Sequence, residues 1–458
     1  MCTSRPRVNL SPMQLYDSLR RAKVPFETIK PGEVSMYVCG ATVQAGPHVG
    51  HMRAGVVFDT LRRWLEVKGL RVTFCRNITD IDDKIINSAN ERGVEWWRVV
   101  EQSVALFNAA YQALNVLPPT VEPRATAHVP EIELLIRTLI DRDAAYVTET
   151  GSVYLRVNKV ANYGALSGQK LDGLQSGEPT EWLGEKQNPL DFALWKASKP
   201  GEPSWPMWVA ESGRPGWHIE CTAMAVKYLG DAFDIHGGGL DLTFPHHENE
   251  LAQANVAGMP YANIWMHNGL IQVDGQKMGK SLGNSVTVDG LIATYGAPEF
   301  RYYLLSPHYR SPLNYSTDGI VANTAGFARV REALIAAGGA ERTADLESQY
   351  LTEFSQAMDD DMNTPRAFAA LQGLARDVLS EPSDEKASAL TTMAYVLGLD
   401  VSAATTSAPT DPAEIPEEAL NRLSNLRGQL RAKGSYEESD EIRDVLAMLG
   451  ETVRDTKA

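Results

Sequence analysis

VSMYVCGATVQAGPHVGHMRAG, residues 34–55, is the stretch from which the fold is read. Val34, Met36, Tyr37 and Val38 predict a buried strand, Gly40, Gly46 and Pro47 mark a turn-rich loop, and a helix opens around His48 to His51. Such a junction points unpaired backbone N–H groups and the positive end of the helix at one spot, which suits a phosphate. His48 and His51 sit at that spot. Cys39 ends the strand and offers a soft metal ligand a few residues away. A metal and a nucleotide would then share one pocket.

Working outward, the helix carries Val57, Leu61, Trp64 and Leu65 on one face and stops at Gly69. A second buried strand is expected in RVTFCRNIT, residues 71–79. Strand, helix and strand in this span outline a parallel crossover, hence a Rossmann-like, doubly wound α/β sheet whose ligand lies beyond the strand ends. NITDIDDKII (77–86) leaves the second strand with Asp80, Asp82 and Asp83. A capped, solvated loop and a direct ligand role are equally consistent with these three.

The chain has 458 residues, 43% hydrophobic and 22% charged, enough for large cores and two to four domains. The N-terminus lacks the apolar run of a secretory signal, and no stretch of 18 or more apolar residues occurs, so no membrane partner and a cytoplasmic location are expected. Four cysteines (Cys2, Cys39, Cys75, Cys221) with no short-spaced pair encode neither a disulfide framework nor a zinc ribbon. The net charge of −15 argues against broad, unspecific nucleic-acid binding and leaves room for a local basic path.

Residues 121–207 change character. GSVYLRV (151–157) is strand-like and is followed by Gly- and Asn-rich turns and by Trp182, Trp195, Trp205 and Trp208, which read as core and loop anchors. This is the pattern of an insertion within the sheet domain. Sheet elements resume at SGRPGWHIECTAMAVKYLG (212–230), with His218 and Cys221 near the start of a helix ending at Gly230. In FDIHGGGLDLTFPHHENELAQAN (233–255), Phe233 to Ile235 make a short strand, Gly237 to Gly239 permit close backbone approach to a ligand, and Pro245 can start the next helix.

On that helix His246 and Glu250 project from one face. Alone, such a pair is usually a surface pair. Joined to Cys39 and Cys221 it gives two thiolates, an imidazole and a carboxylate, a set that fits tetrahedral Zn²⁺ better than Mg²⁺ or Ca²⁺. Cys2 and Cys75 read as a terminal and a packed thiol, and His236 and His247 as outer partners or substrate-facing groups. QVDGQKMGKSLGNSVTV (272–288) places Lys277 and Lys280 in a Gly-rich loop suited to closing over a polyphosphate.

These residues carry a resemblance. HVGH (48–51) resembles the HIGH signature, and KMGKS (277–281) the KMSKS signature, of class I aminoacyl-tRNA synthetases. YVCGATV, RNITDIDDKI, GRPGWHIEC and FDIHGGGLDLTFPHHENE are similar to cysteinyl-tRNA synthetases, in order, and SYEESDEIRDVLAMLG (435–450) to that family's terminal anticodon-binding module. Val49 replaces Ile, and Gly279 replaces the central Ser, which removes a hydroxyl and loosens the loop.

The resemblance implies one Zn²⁺ held by Cys39, Cys221, His246 and Glu250, which binds the thiolate of the substrate L-cysteine. It implies ATP with Mg²⁺, with His48, His51, Lys277 and Lys280 as the catalytic set. Gly40, Thr42, Thr79, Trp217, Gly239 and Asp241 would line the cysteine and adenylate pocket. tRNA(Cys) would accept the cysteine, and the chain would act as a monomer.

The implied organisation is a catalytic α/β domain in two halves (1–120 and 208–255) around an insertion (121–207). A stem-contact region (256–325) and a mainly α-helical C-terminal part follow: a bundle (326–401), a linker (402–416) and an anticodon-binding module (417–458). EFRYYLLSPHYRSPLNYS (299–316) reads equally as an RNA-stacking surface or as packing, and Arg427 and Arg431 as an RNA contact or a solvated face. An enzyme of the same ancestry joins cysteine to an amino-sugar in mycothiol synthesis and is the alternative. A non-catalytic RNA-binding paralogue would lose HVGH or the lysines, and a zinc hydrolase would turn over without ATP.

Overall fold

A computed structural model describes residues 12–169, 184–273, 276–277, 287–399 and 401, with a few positions between 426 and 442. A hairpin of β1 (Gln14–Asp17) and β2 (Ala22–Pro25) leads into β3 (Glu33–Val38), α1 (Val49–Val67) and β4 (Arg71–Arg76). β3 and β4 pair in parallel, from Glu33 opposite Arg71 to Val38 opposite Arg76. α1 covers them with Val57, Leu61, Trp64 and Leu65, all buried. β4 ends at Arg76 rather than Thr79 because Asn77 turns its Oδ1 to the Gly40 N–H at 2.8 Å. Only an isolated bridge then joins Thr79 to Thr42.

α2 (Asp83–Arg92) and α3 (Trp96–Ala113) follow. Asp82 caps α2, accepting from Lys84 N at 2.9 Å. Asp80 is buried and accepts from Thr126 N and Oγ1 at 2.9 and 2.6 Å. Asp83 pairs with Lys196 at 2.9 Å and with Arg214. Capping and packing therefore occupy the three carboxylates.

Next come α4 (Val129–Asp141) and an antiparallel sheet of β5 (Ala145–Val147), β6 (Val153–Leu155), β7 (Phe192–Ala197), β8 (Trp205–Met207) and β9 (Ala210–Pro215), in the order β5-β6-β7-β9-β8. Trp195 is buried in its core, whereas Trp208 is exposed under the Arg137 guanidinium, 3.9 Å from the ring centre. Trp182 lies outside the described residues.

α5 (Trp217–Leu229), β10 (Ala232–Gly239), α6 (Glu248–Ala257) and β11 (Tyr261–Asn268) complete the parallel sheet, in the order β11-β10-β3-β4. The crossover from β3 goes outward to β4, and that from β10 outward to β11. The strand order thus reverses between β3 and β10, and an open α/β sheet binds its ligand at the crevice so formed. β10 runs on to Gly239 instead of stopping at Ile235. A Cβ on Gly237 would overlap the Phe58 ring of α1, so the first of the three glycines serves packing rather than a ligand. Pro245 sits within a single wide turn, Thr243–His247, and α6 starts only at Glu248.

Beyond the sheet lie β12 (Ile271–Val273), β13 (Gln276–Lys277), α7 (Val288–Tyr295), α8 (Ala297–Leu305) and β14 (Leu313–Tyr315). β12 pairs antiparallel with β13 and parallel with β14. Phe300, Tyr302, Tyr303, Leu304, Leu305 and Tyr309 are all buried, so packing accounts for these side chains, while Tyr315 is half-buried.

The helices α9 (Thr317–Ala336), α10 (Thr352–Asp359), α11 (Thr364–Ser380) and α12 (Asp384–Leu397) close the first of two compact units, residues 1–400 and 401–458. Asn363 caps α11, accepting from Arg366 N at 3.3 Å, with Pro365 in the first turn. In the second unit Arg427 is buried, which fits neither a solvated nor an RNA-facing position. The segment 402–416 lies outside the described residues. Among the described residues no helix is long and apolar enough to cross a membrane.

Candidate active site

Three element ends bring the four expected ligands together. Cys39 follows β3 directly, its N–H donating to the Gly237 carbonyl of β10 at 3.1 Å. Cys221 lies in α5, His246 in the turn before α6 and Glu250 in the first turn of α6. Their donor atoms all lie within 4.8 Å of one another. Cys39 Sγ is 3.3 Å, and His246 Nε2 3.2 Å, from the same oxygen of Glu250, Oε1. A tetrahedron of ligands at ordinary zinc bond lengths has edges of roughly 3.3–3.8 Å, so the set needs little movement to close on one ion.

The other oxygen of Glu250 is held from behind. Oε2 accepts from His236 Nε2 at 2.9 Å and from the Tyr261 hydroxyl at 2.8 Å, which aims Oε1 at the cysteines. A second cluster, Cys39, His236, His247 and Glu250, shares two of these groups. It offers a single sulfur, and its His236 is already engaged with Glu250. The two-cysteine set is therefore the better site for a soft ion.

Electrostatics support the same choice. Burial opposes ionisation of Cys221, but a hydrogen bond from Cys39 and the adjacent His246 bring its pKa down to about 6. Cys75, in a packed strand without such partners, is pushed up by burial to about 12. Burial would likewise raise Glu250, yet His236 and His246 hold it below the usual carboxylate range. His246 is raised: burial works against its charge, and the Cys221 and Glu250 anions outweigh burial.

The cleft in front of this cluster has a volume of about 720 Å³. Gly40, Thr42, His48, His51, Trp217, Gly239 and Asp241 all line it, with Cys39. Thr79 does not: it is buried behind the wall, where its backbone bridges Thr42. Gly40 is required where it stands, because a Cβ would overlap the Asn77 carbonyl. Trp217 stacks on His246 with ring centres 4.3 Å apart. His48 and His51 stack at 3.6 Å, and His51 Nδ1 accepts the His48 backbone N–H at 3.2 Å. That bond leaves a neutral His51 with its proton on Nε2.

Lys277 ends β13, and Lys280 lies outside the described residues. Thr287, just beyond KMGKS, forms an isolated bridge with His48. The chain at Thr287 is thus tied to the helix start. Sequence reasoning missed Tyr261, Arg53 and His267, whose Nε2 lies 2.8 Å from His247 Nδ1. Tyr261 reaches Glu250 from a left-handed backbone (φ 60°) that nothing in its neighbours announces.

The comparisons with known proteins agree with this geometry. Residues 25–325 match the tRNA synthetases class I (C) catalytic domain, and residues 353–401 the DALR domain. A cysteine–tRNA ligase of Legionella pneumophila is 45% identical over 444 residues, 97% of each chain. The chain belongs to the cysteine–tRNA ligase family. Another member, from Alkalilimnicola ehrlichii, is also 45% identical, over 97% of this chain and 98% of its own.

Among solved structures, Mycobacterium tuberculosis methionyl-tRNA synthetase in complex with methionyl-adenylate shares the fold with a TM-score of 0.58 at 16% identity, covering 80% of this chain and 88% of that one. A leucyl-tRNA synthetase of Agrobacterium radiobacter gives 0.56 at 12% identity, covering 82% and 84%. Membership of the cysteine–tRNA ligase family makes the chain an enzyme, a class I aminoacyl-tRNA synthetase, with a two-cysteine cluster compatible with a metal ion beside its cleft.

Proposed function

We propose that this enzyme activates L-cysteine with ATP as cysteinyl-adenylate and transfers the cysteine to tRNA(Cys) in the cytoplasm, as a monomer. The observation that carries the reading is the convergence of Cys39, Cys221, His246 and Glu250, with Cys39 itself lining the cleft that also contains His48 and His51. Zinc held by those four residues would supply a soft Lewis acid for the substrate sulfur. A serine hydroxyl is a poor partner for such a site. Shape alone separates substrates that differ by one methylene by only ~10–200-fold, so sulfur recognition removes the need for an editing domain.

The chain's own groups do the rest. Trp217 and Asp241 flank the space for the amino acid, and Gly40 and Gly239 let backbone approach it. The N-terminus of α1, the Nε2–H of His51, and His48 would hold the triphosphate with its Mg²⁺, and Lys277 and Lys280 are assigned to the same task. As the cysteine carboxylate attacks the α-phosphorus, negative charge moves to the departing pyrophosphate, and these donors stabilise it where it builds. The terminal 2′-hydroxyl of the tRNA then attacks the mixed anhydride and AMP leaves, without any protein nucleophile.

The same proposal assigns 256–325 to the acceptor stem, 326–401 to a supporting bundle, 402–416 to a linker and 417–458 to the anticodon. The match of the relatives across nearly the whole chain favours tRNA over an amino-sugar acceptor. Cysteine-dependent ATP–pyrophosphate exchange tests the reading. Exchange is expected with cysteine, not with serine, and is expected to fall on zinc chelation. Lys280→Ala should slow exchange by orders of magnitude while sparing zinc content, and exchange at the wild-type rate in that variant would refute the lysine's role.

A further inference from the structure

Arg53 lies two residues beyond HVGH on α1, and its side chain is fully buried. A buried guanidinium ordinarily finds a carboxylate. The hydrogen bonds of Arg53 go to five main-chain carbonyls instead. Nη1 donates to Gly269 O at 2.8 Å and Leu270 O at 3.3 Å; Nη2 donates to Ser311 O at 2.7 Å, His308 O at 3.3 Å and Tyr309 O at 3.5 Å. Those carbonyls belong to two segments that meet nowhere else in sequence: the turn between β11 and β12, and the link between α8 and β14.

The two segments are also joined directly. Gly269 N donates to Tyr309 O at 2.7 Å, and Leu313 N to Leu270 O at 3.0 Å. They approach so closely that a Cβ on Gly269 would overlap the Ser311 carbonyl. Both features bear on the reaction. Gly269, Leu270 and Ile271 line the cleft, and Ile271 begins the strand whose partner ends in Lys277.

We propose that Arg53 is a positioning residue for ATP: it fixes the β12–β13 pair, which ends at Lys277, against the helix that presents His48 and His51. The clamp acts on the nucleotide side of the cleft, while the cysteine side is built from β3, α5 and α6. This rests on the activation reaction proposed above. Lysine cannot replace arginine, because one ammonium cannot span carbonyls on two segments in the way a planar fork does. A misplacement of about 1 Å can cost ~100-fold in rate.

The test is steady-state pyrophosphate exchange with Arg53→Lys and, independently, with Gly269→Ala, which wedges the same two segments apart and leaves the arginine in place. Expected in both is a KM for ATP raised about 10-fold or more and a kcat lowered about 10- to 100-fold, with the KM for cysteine within about twofold of wild type. A variant with fewer active molecules and unchanged KM values, or with both KM values raised together, would show a merely structural residue and overturn the proposal.

On the unaltered chain, the Gly269 and Leu313 amides should be protected from hydrogen exchange. Exchange at the rate of an open loop would overturn the proposal whether or not the variants fold. Absence of exchange activity in the wild type would instead refute the proposed reaction itself.

Discussion

His218 Nδ1 lies 3.0 Å from His246 Nδ1, both rings being buried. One nitrogen of such a pair must carry the hydrogen. Burial, with His246 and Lys196 nearby, holds the His218 pKa well below the ordinary value, so its ring is neutral and can accept. With His246 Nε2 turned toward Glu250 and the cysteines, the proton belongs on His246 Nδ1, donated to His218. Replacing His218 by Leu removes that acceptor and should weaken zinc binding ~10–100-fold, measured by chelator competition. Asn, whose Oδ1 can accept, should restore most of the loss. Equal affinities in all three proteins would show that His246 needs no such support.

The two thiols of the sheet domain are expected to titrate apart. Cys221 ionises near pH 6 and Cys75 near 12. The Cys221 value is depressed below that of an ordinary thiol, so the stability it contributes is fully present above the unfolded thiol pKa and is lost as pH falls through about 6. In metal-stripped protein one equivalent of ultraviolet thiolate absorbance should therefore appear near pH 6. It should vanish in Cys221→Ser and persist in Cys75→Ser. Zinc affinity should fall as protons compete below that pH. A thiolate that survives Cys221→Ser would place the reactive sulfur elsewhere.

Periodicity and motif spacing already held most of this. The pattern from Val34 to Gly69 gives the strand, loop and helix, because one buried face must recur with the period of its element. The four residues of the metal-compatible cluster are legible because their types are rare in combination and each stands near an element end. What could not be read depends on contacts made across long sequence distance.

Nothing local distinguishes Gly237, packed on Phe58, from a ligand-cradling glycine. Nothing marks Asp80 as a partner of Thr126 rather than of a substrate. Thr79 has the composition of a cleft residue and lies behind the wall, since Asn77 ends β4 early. The carboxylates of NITDIDD and the aromatics of 299–316 have two readings each in the sequence: a cap at Asp82, ion pairs at Asp83 and a buried hydrogen bond at Asp80 account for the first, and burial of Phe300, Tyr302, Tyr303 and Tyr309 gives packing for those aromatics.

Asp59 is the hinge pin of a buried charge knot, and its loss should be costly. Its Oδ2 accepts from Arg63 Nε at 2.8 Å and from Arg301 Nη2 at 2.6 Å, with all three side chains at most 2% exposed. Arg301 also donates to Leu397 O at 2.7 Å, which ties α1 and α8 to the end of α12. Asp59→Asn leaves two buried guanidinium groups without a countercharge and should cost about 3–5 kcal/mol. The measurement is a urea unfolding curve. A midpoint within error of wild type would show that the surrounding carbonyls suffice.

Asp361 joins three parts of the first unit from a strained backbone. Its Oδ1 accepts from Tyr16 N at 2.8 Å and the Tyr309 hydroxyl at 2.7 Å, and its Oδ2 from Arg310 at 2.8 Å. It has φ 59° and is followed by Met362 at φ 51°, two consecutive left-handed residues, neither of them glycine. Such a conformation costs of order 1 kcal/mol per residue and persists because the carboxylate's bonds outweigh it.

Substitutions at Asp361 separate the two contributions. Asp361→Ala loses every bond and keeps the strain, and should cost about 3 kcal/mol or more. Asp361→Gly loses the same bonds and relieves the strain, and should be milder than Ala by about 1 kcal/mol. Asn tolerates the left-handed region and retains an acceptor for Tyr16, so Asp361→Asn should be the mildest of the three. Thermal unfolding of the three variants gives the order, and an alanine variant as stable as the asparagine one would show that neither the bonds nor the backbone matter at this junction.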